Sequence, residues 1–203
     1  FAGQNPDRKD RKAAERLYRK AASLFASNSK PWAALADMYL VKADEALEKG
    51  ETNKFHFLLL GAREAKKDYE NAADAIKKAM KRNSLDSRYH LIAARANAGI
   101  VYINDEYKRG SPRQYSASVE SSHMERAETE FQKALQMDPN NAVYHEHHGF
   151  FYYRIGRYEH AERKIQQALE ILPDTPKYIK ERRHLQRLLE KIHHKQEETA
   201  TTI

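Results

Sequence analysis

Residues 142–175 read AVYHEHHGFFYYRIGRYEHAERKIQQALEILPDT. Gly149 stands three residues before Tyr152, Gly156 and Tyr158 follow, and Ala161, Ile165, Ala168 and Leu169 then recur at helical spacing up to Pro173. Residues three and four apart share one face of a helix, so the stretch predicts two helices parted at Gly156. Ala161 and Ala168 are small enough for the helices to approach closely, while aromatic and branched residues fill the gaps. Pro173 ends the second helix, because it cannot donate the next backbone hydrogen bond.

The second half of this pattern recurs upstream. Ala127-x3-Phe131-x2-Ala134-Leu135-x3-Pro139 repeats it, as does Tyr69-x2-Ala72-x3-Ile76-x2-Ala79-Met80, followed by Ser84 in place of proline. Ala14-x3-Tyr18-x2-Ala21 is a weaker fourth copy. The first half recurs as Trp32-x2-Leu35-Ala36-x2-Tyr39, and Tyr89-His90 stands where Tyr144-His145 stands, although Asn97 replaces the expected aromatic. The unit resembles the tetratricopeptide repeat (TPR), a helix–turn–helix of about 34 residues.

Spacing sets the organisation. Pro139 to Pro173 is one 34-residue step, but Ser84 to Pro139 is 55 and Ala26 to Ser84 is 58. Tyr152 and Ala161 are 9 apart, whereas Asn97 and Ala127 are 30 apart and Tyr39 and Ala72 are 33 apart. Both excesses therefore lie between the two helices of a repeat. Near 43–67 the sequence stays helical apart from a break at Gly50-Glu51-Thr52, so both helices lengthen. Near 100–121 it extends the first helix to about Tyr107 and then gives a Gly/Ser/Pro loop over 110–122. The resemblance implies a single all-α domain over 1–203, a right-handed α-solenoid. It comprises a half repeat at 7–27, interrupted repeats at 29–85 and 86–140, a standard repeat at 141–174 and a capping helix at 176–196. The last repeat needs such a helix to cover its apolar face, and the stripe Ile179, Leu185, Leu188, Leu189 and Ile192 supplies one.

Composition agrees. Apolar residues are 40% and charged residues 32% of 203, with 12 Tyr and 7 Phe, which is too much core material for wholesale disorder. Seven Gly and six Pro are too few for a many-stranded sandwich, and Phe57–Leu60 is too short an apolar run to span a bilayer. With no cysteine there are no disulfides, thiolate metal sites or thiol nucleophiles. The chain begins Phe-Ala-Gly-Gln without Met, so a removed leader or a trimmed chain both fit and the compartment stays unknown. The net charge is +7, and residues 177–195 hold seven Lys and Arg against two Glu.

Chemical machinery is thin. Neither a Gly-x-Ser-x-Gly elbow nor a Gly-rich phosphate loop occurs, so the reading is not an enzyme and no cofactor is expected. His145 and His148 share a helix face and are an outside candidate for a metal pair. A metal site also needs a convergent third ligand, and in the repeat register these rings replace Trp32 and Leu35, which pack helix on helix. The working expectation is no metal.

The resemblance implies a protein–protein interaction scaffold that holds a peptide or helix of a partner, either on a concave face lined by the first helices or on the rim enlarged by the inserts. Carried over residue by residue, that face includes Asp37, Leu40, Leu91, Arg95, Glu146, Phe150, Tyr153 and Arg154, the apolar members as anchors and the charged ones as orienting groups. The carboxylate clamp of chaperone-binding members falls on Ala33, Asp37, Ile92, Val143 and His147, and none matches. Two alternatives stay open: polyanion or nucleic-acid binding by the basic C-terminal helix, and self-association through the inserts. Nucleic acid is disfavoured because only Tyr178 interleaves with the cations. Membrane insertion is disfavoured because that helix's apolar face lacks Trp and Phe.

Overall fold

The computed structural model describes residues 8–51, 61–110 and 117–201, and every regular element among them is helical. In chain order these are α1 (Arg8–Leu24), α2 (Lys30–Glu51), α3 (Ala62–Met80), α4 (Ser87–Gly110), α5 (Ala117–Met137), α6 (Ala142–Arg154) and α7 (Tyr158–Ile171). A 3-10 turn (Pro176–Tyr178) then leads into α8 (Ile179–Thr201). The chain divides into two compact units, Phe1–Ala127 and Glu128–Ile203.

Helix ends follow the turn chemistry. Asn141 accepts the Val143 N–H at 3.2 Å and caps α6, and Asp86 accepts the Arg88 N–H at 3.1 Å at the start of α4. Gly156, at φ 76°, closes α6. It donates to the Tyr153 carbonyl at 3.2 Å while Arg157 donates to that of Tyr152 at 2.9 Å, a Schellman turn in which a side chain at residue 156 would strain the backbone.

In the first unit α2 packs on α3, α3 on α4 and α1 on α2. The seam is made of small residues: Ala36, Ala43, Ala65, Ala72 and Ala79 are wholly buried, with Leu35, Tyr39, Leu40, Tyr69 and Ile76 filling between them. In the second unit α6 and α7 pair, and α8 lies on α7 with Leu185, Leu188 and Ile192 buried. Arg182 of α8 donates to the Leu169 and Leu172 carbonyls at 2.9 and 2.7 Å, satisfying the end of α7. Of the expected capping stripe, Ile179 stays exposed.

One expectation is corrected at the inserts. Helix α2 is described as far as Glu51, within the break expected at Gly50-Glu51-Thr52. The loop expected over 110–122 is shorter, since α4 reaches Gly110 and α5 begins at Ala117; Ala117–Ser122 has helix-compatible spacing that runs into Ala127. Thr52, most of the first turn region and residues 111–116 lie outside the described residues. The lengthening is plain: α2 and α3 have 22 and 19 residues, against 13 and 14 in α6 and α7.

Candidate partner-binding surfaces

One face of α6 is spent on packing. Gly149 sits so close to α7 that a Cβ there would lie 2.7 Å from Ile165 Cδ1. Tyr144, His145, His148, Phe151 and Tyr152 are buried with it. The other face carries Val143, Glu146, Phe150 and Tyr153, spaced three and four apart. Phe150 is 40% exposed. Its ring lies 6.4 Å from that of Tyr153, which lies 6.0 Å from that of Tyr158 on α7, within the range of aromatic pairs. Helix α8 flanks this row: His184 Nε2 is 3.4 Å from Glu146. The second unit thus presents an aromatic strip with His184 at its edge. Phe150 remains accessible beside the capping helix, whose own apolar stripe is turned to α7. Arg154 is half-buried at the end of the same row.

The first unit treats its expected residues differently. Asp37 is exposed. Leu40 is wholly buried in the core and Leu91 is buried too, so neither offers a solvent-facing anchor; the helices here close over these side chains. Arg95 donates to Asp44 Oδ2 at 2.7 Å, and the Tyr69 hydroxyl donates to Asp44 Oδ1 at 2.6 Å, tying α2, α3 and α4 together. Burial, and then the Asp44 carboxylate, push the Tyr69 phenol far above its ordinary value, so it remains a neutral donor. Arg95 is therefore already engaged. Sequence reasoning missed Asp44, which stands four residues after Leu40 on α2, and Tyr158, which begins α7 across the Gly156 turn and so shares no helical register with the α6 row.

His145 and His148 are packing rings. His145 Nε2 lies 2.8 Å from the Pro139 carbonyl, an acceptor only, so this nitrogen carries the proton. His90 makes the same contact with the Ser84 carbonyl, at 3.2 Å, in the same register one repeat earlier. His148 is stacked between Phe131 and Tyr152, with centroids 4.9 and 4.4 Å away. Burial, reinforced by Lys164, His145 and His160, lowers its pKa to about 3. Among the described residues no three His, Cys, Asp or Glu converge as metal ligands. Nor, among them, is any helix long and apolar enough to cross a membrane.

A second contact also recurs in register. Tyr39 donates to Glu15 at 2.7 Å and Tyr152 to Glu128 at 2.9 Å, each reaching back 24 residues. The sequence matches no family model and no curated protein. Among solved structures, MamA is 16% identical, with a TM-score of 0.53 and 99% of each chain covered. TTC0263, a thermophilic TPR protein of Thermus thermophilus, is 16% identical at TM-score 0.48, covering 90% of this chain and 81% of its own. The Yersinia enterocolitica type III secretion chaperone SycD, in complex with a peptide of the translocator YopD, is 15% identical at TM-score 0.47, covering 79% and 95%. The fold is that of the TPR proteins: paired antiparallel helices joined by small-residue seams, without strands among the described residues.

Proposed function

We propose that the chain is a non-enzymatic adaptor that binds a peptide or helix of a partner protein on the inward strip of the second unit. Phe150 and Tyr153 are the anchors, and Glu146 and Arg154 set orientation. The observation that carries the reading is Phe150, a large aromatic left 40% exposed within a row of rings. An aromatic cluster that can be desolvated, rimmed by charge, is the usual anatomy of an interaction hot spot. Asp37 takes a secondary, orienting role in the first unit, while Arg95 is spent on Asp44. We place the repeats as the spacing placed them, with the half repeat at 7–27 and the capping helix at 176–196.

The test starts with a partner recovered by affinity pull-down from the native source. The Phe150→Ala/Tyr153→Ala variant should bind it at least tenfold more weakly by calorimetry while its circular dichroism is unchanged. Undiminished binding by the folded variant moves the site elsewhere. A second reading rests on the exposed Lys180, Arg183, Arg187 and Lys191 of α8. A polyanion held there loses affinity steeply with salt, and absence of RNA or DNA binding at low salt rejects it.

A further inference from the structure

Contacts within the second unit fix the direction of its helices. Helix α7 runs back along α6: Tyr158 at its start lies by Tyr153, and Ile165 further on lies by Gly149. Helix α8 runs back along α7 in turn. Arg182, near its start, donates to the Leu169 and Leu172 carbonyls, whereas His193 and Gln196, further on, each meet Glu162 at 3.0 Å. Two reversals leave α8 running in the same direction as α6. His184 sets the register, 3.4 Å from Glu146. Seven residues are two turns, about 10.5 Å, on either helix. Lys191 of α8 therefore stands level with Tyr153 of α6, and Arg187 with the turn that carries Phe150. Lys180, four residues before His184, and Arg187 and Lys191, three and seven after it, share its face, and all are exposed. Glu181 and Glu190 fall at the two edges of that face.

We propose that Arg187 and Lys191 are specificity determinants of the strip, selecting a partner segment that carries Asp or Glu beside its apolar anchors. The inference rests on the reading of Phe150 and Tyr153 as anchors and adds the charge of what they hold. An apolar side chain seated over these rings brings the next turn of the guest against α8, where Arg187 and Lys191 stand. Acidic residues there gain charge complementarity and basic ones meet repulsion. A peptide can place its acids on the α8 side alone. A nucleic acid cannot, because it carries a charge at every phosphate and Glu146 stands within the row. Nor do the rings offer a ladder for bases. Phe150 is tilted 35° from Tyr153, and Tyr153 is tilted 53° from Tyr158, whereas a single strand binds by stacking its bases on aromatic faces.

Two fluorescein-labelled synthetic peptides test it. Both carry the apolar row Leu-x2-Phe-x3-Leu; one has Glu and the other Lys at the flanking positions. By anisotropy on the intact chain at low salt, the Glu peptide should bind saturably and at least tenfold more tightly than the Lys peptide. Arg187→Glu/Lys191→Glu, altered only at exposed positions, should reverse that order with circular dichroism unchanged. Arg187→Gln/Lys191→Gln should bring the two peptides level. Phe150→Ala/Tyr153→Ala, which keeps the cationic row, should weaken the Glu peptide at least tenfold. If wild type binds both peptides equally and the Phe150→Ala/Tyr153→Ala variant weakens both, the strip is the site and the charge selection is overturned. If that variant holds the Glu peptide as tightly as wild type, the strip reading fails and the proposal falls with it. Failure of both peptides to bind overturns it. So does an oligo(dT) strand that binds more tightly than the Glu peptide and is lost in Arg187→Glu/Lys191→Glu, which gives the row to nucleic acid.

Discussion

His148 occupies in α6 the place that Leu35 occupies in α2. Its two ring nitrogens are buried without a partner, so the neutral ring is the form that fits between Phe131 and Tyr152. Its folded pKa, about 3, lies below the ordinary 6.5 of an unfolded chain. Between these values the unfolded state binds the additional proton, so the contribution of this site is full above pH 6.5 and is lost progressively toward pH 3. Burial lowers the His145 pKa as well, which adds to the same trend. The second unit should therefore melt at falling temperatures as pH drops from 7 to 4. In His148→Leu, thermal unfolding should change by no more than about 1 kcal/mol at pH 7, where lost stacking offsets relief of two unpaired nitrogens. At pH 4.5 that variant should be the more stable protein; a wild type whose melting does not respond to pH over this window contradicts the account. The sequence made the packing role of both rings legible through the Trp32 and Leu35 register. It did not reveal the carbonyl partner of His145, because that bond depends on how the turn before the helix folds back.

Helix contacts depend on where chains touch most closely. Gly99 of α4 lies against α3, where an added Cβ would fall 2.3–2.5 Å from three ring atoms of Tyr69. That ring is rigid and pinned through its hydroxyl to Asp44, so it cannot step aside. Alanine ordinarily gains up to about 1 kcal/mol over glycine inside a helix. Here Gly99→Ala should instead destabilise the first unit by about 1–3 kcal/mol, the overpacking cost, as measured by denaturant unfolding; a stabilised variant would show that α3 and α4 are further apart than described. The sequence conveyed the two-helix make-up of the repeats, the lengthening of both helices at the first insert and of α4 at the second, because these follow from spacing alone; it did not convey the early start of α5 at Ala117, in a stretch that reads as loop. Gly99 was not singled out, since its neighbour lies 30 positions away in the chain. Asn97, noted as a departure from the aromatic pattern, has a physical answer of the same long-range kind. Its Oδ1 faces His123 Nδ1 at 2.8 Å while its Nδ2 donates to the Ala93 carbonyl, so a polar pair fills the aromatic's place.

Across the whole molecule, charge and aromatic surface are distributed unevenly. The net charge of +7 is concentrated in 177–195 and α1, and the exposed aromatic strip belongs to α6 in the second unit. The TPR-like fold was legible because its signature rests on small residues and prolines at fixed intervals. The register placed Phe150, Tyr153 and Glu146 on one face of α6 away from α7, but it also named Leu40 and Leu91, which are buried, because position in a repeat does not say how closely the neighbouring helix covers it. Fold leaves chemistry open, so the site must carry the functional claim. Amide hydrogen exchange on the chain, free and saturated with its recovered partner, measures that claim most directly. Slowed exchange concentrated in 146–154 and in the flanking stretch of α8, 184–195, is the predicted result. Unchanged exchange over 146–154 with protection elsewhere in the chain would contradict it.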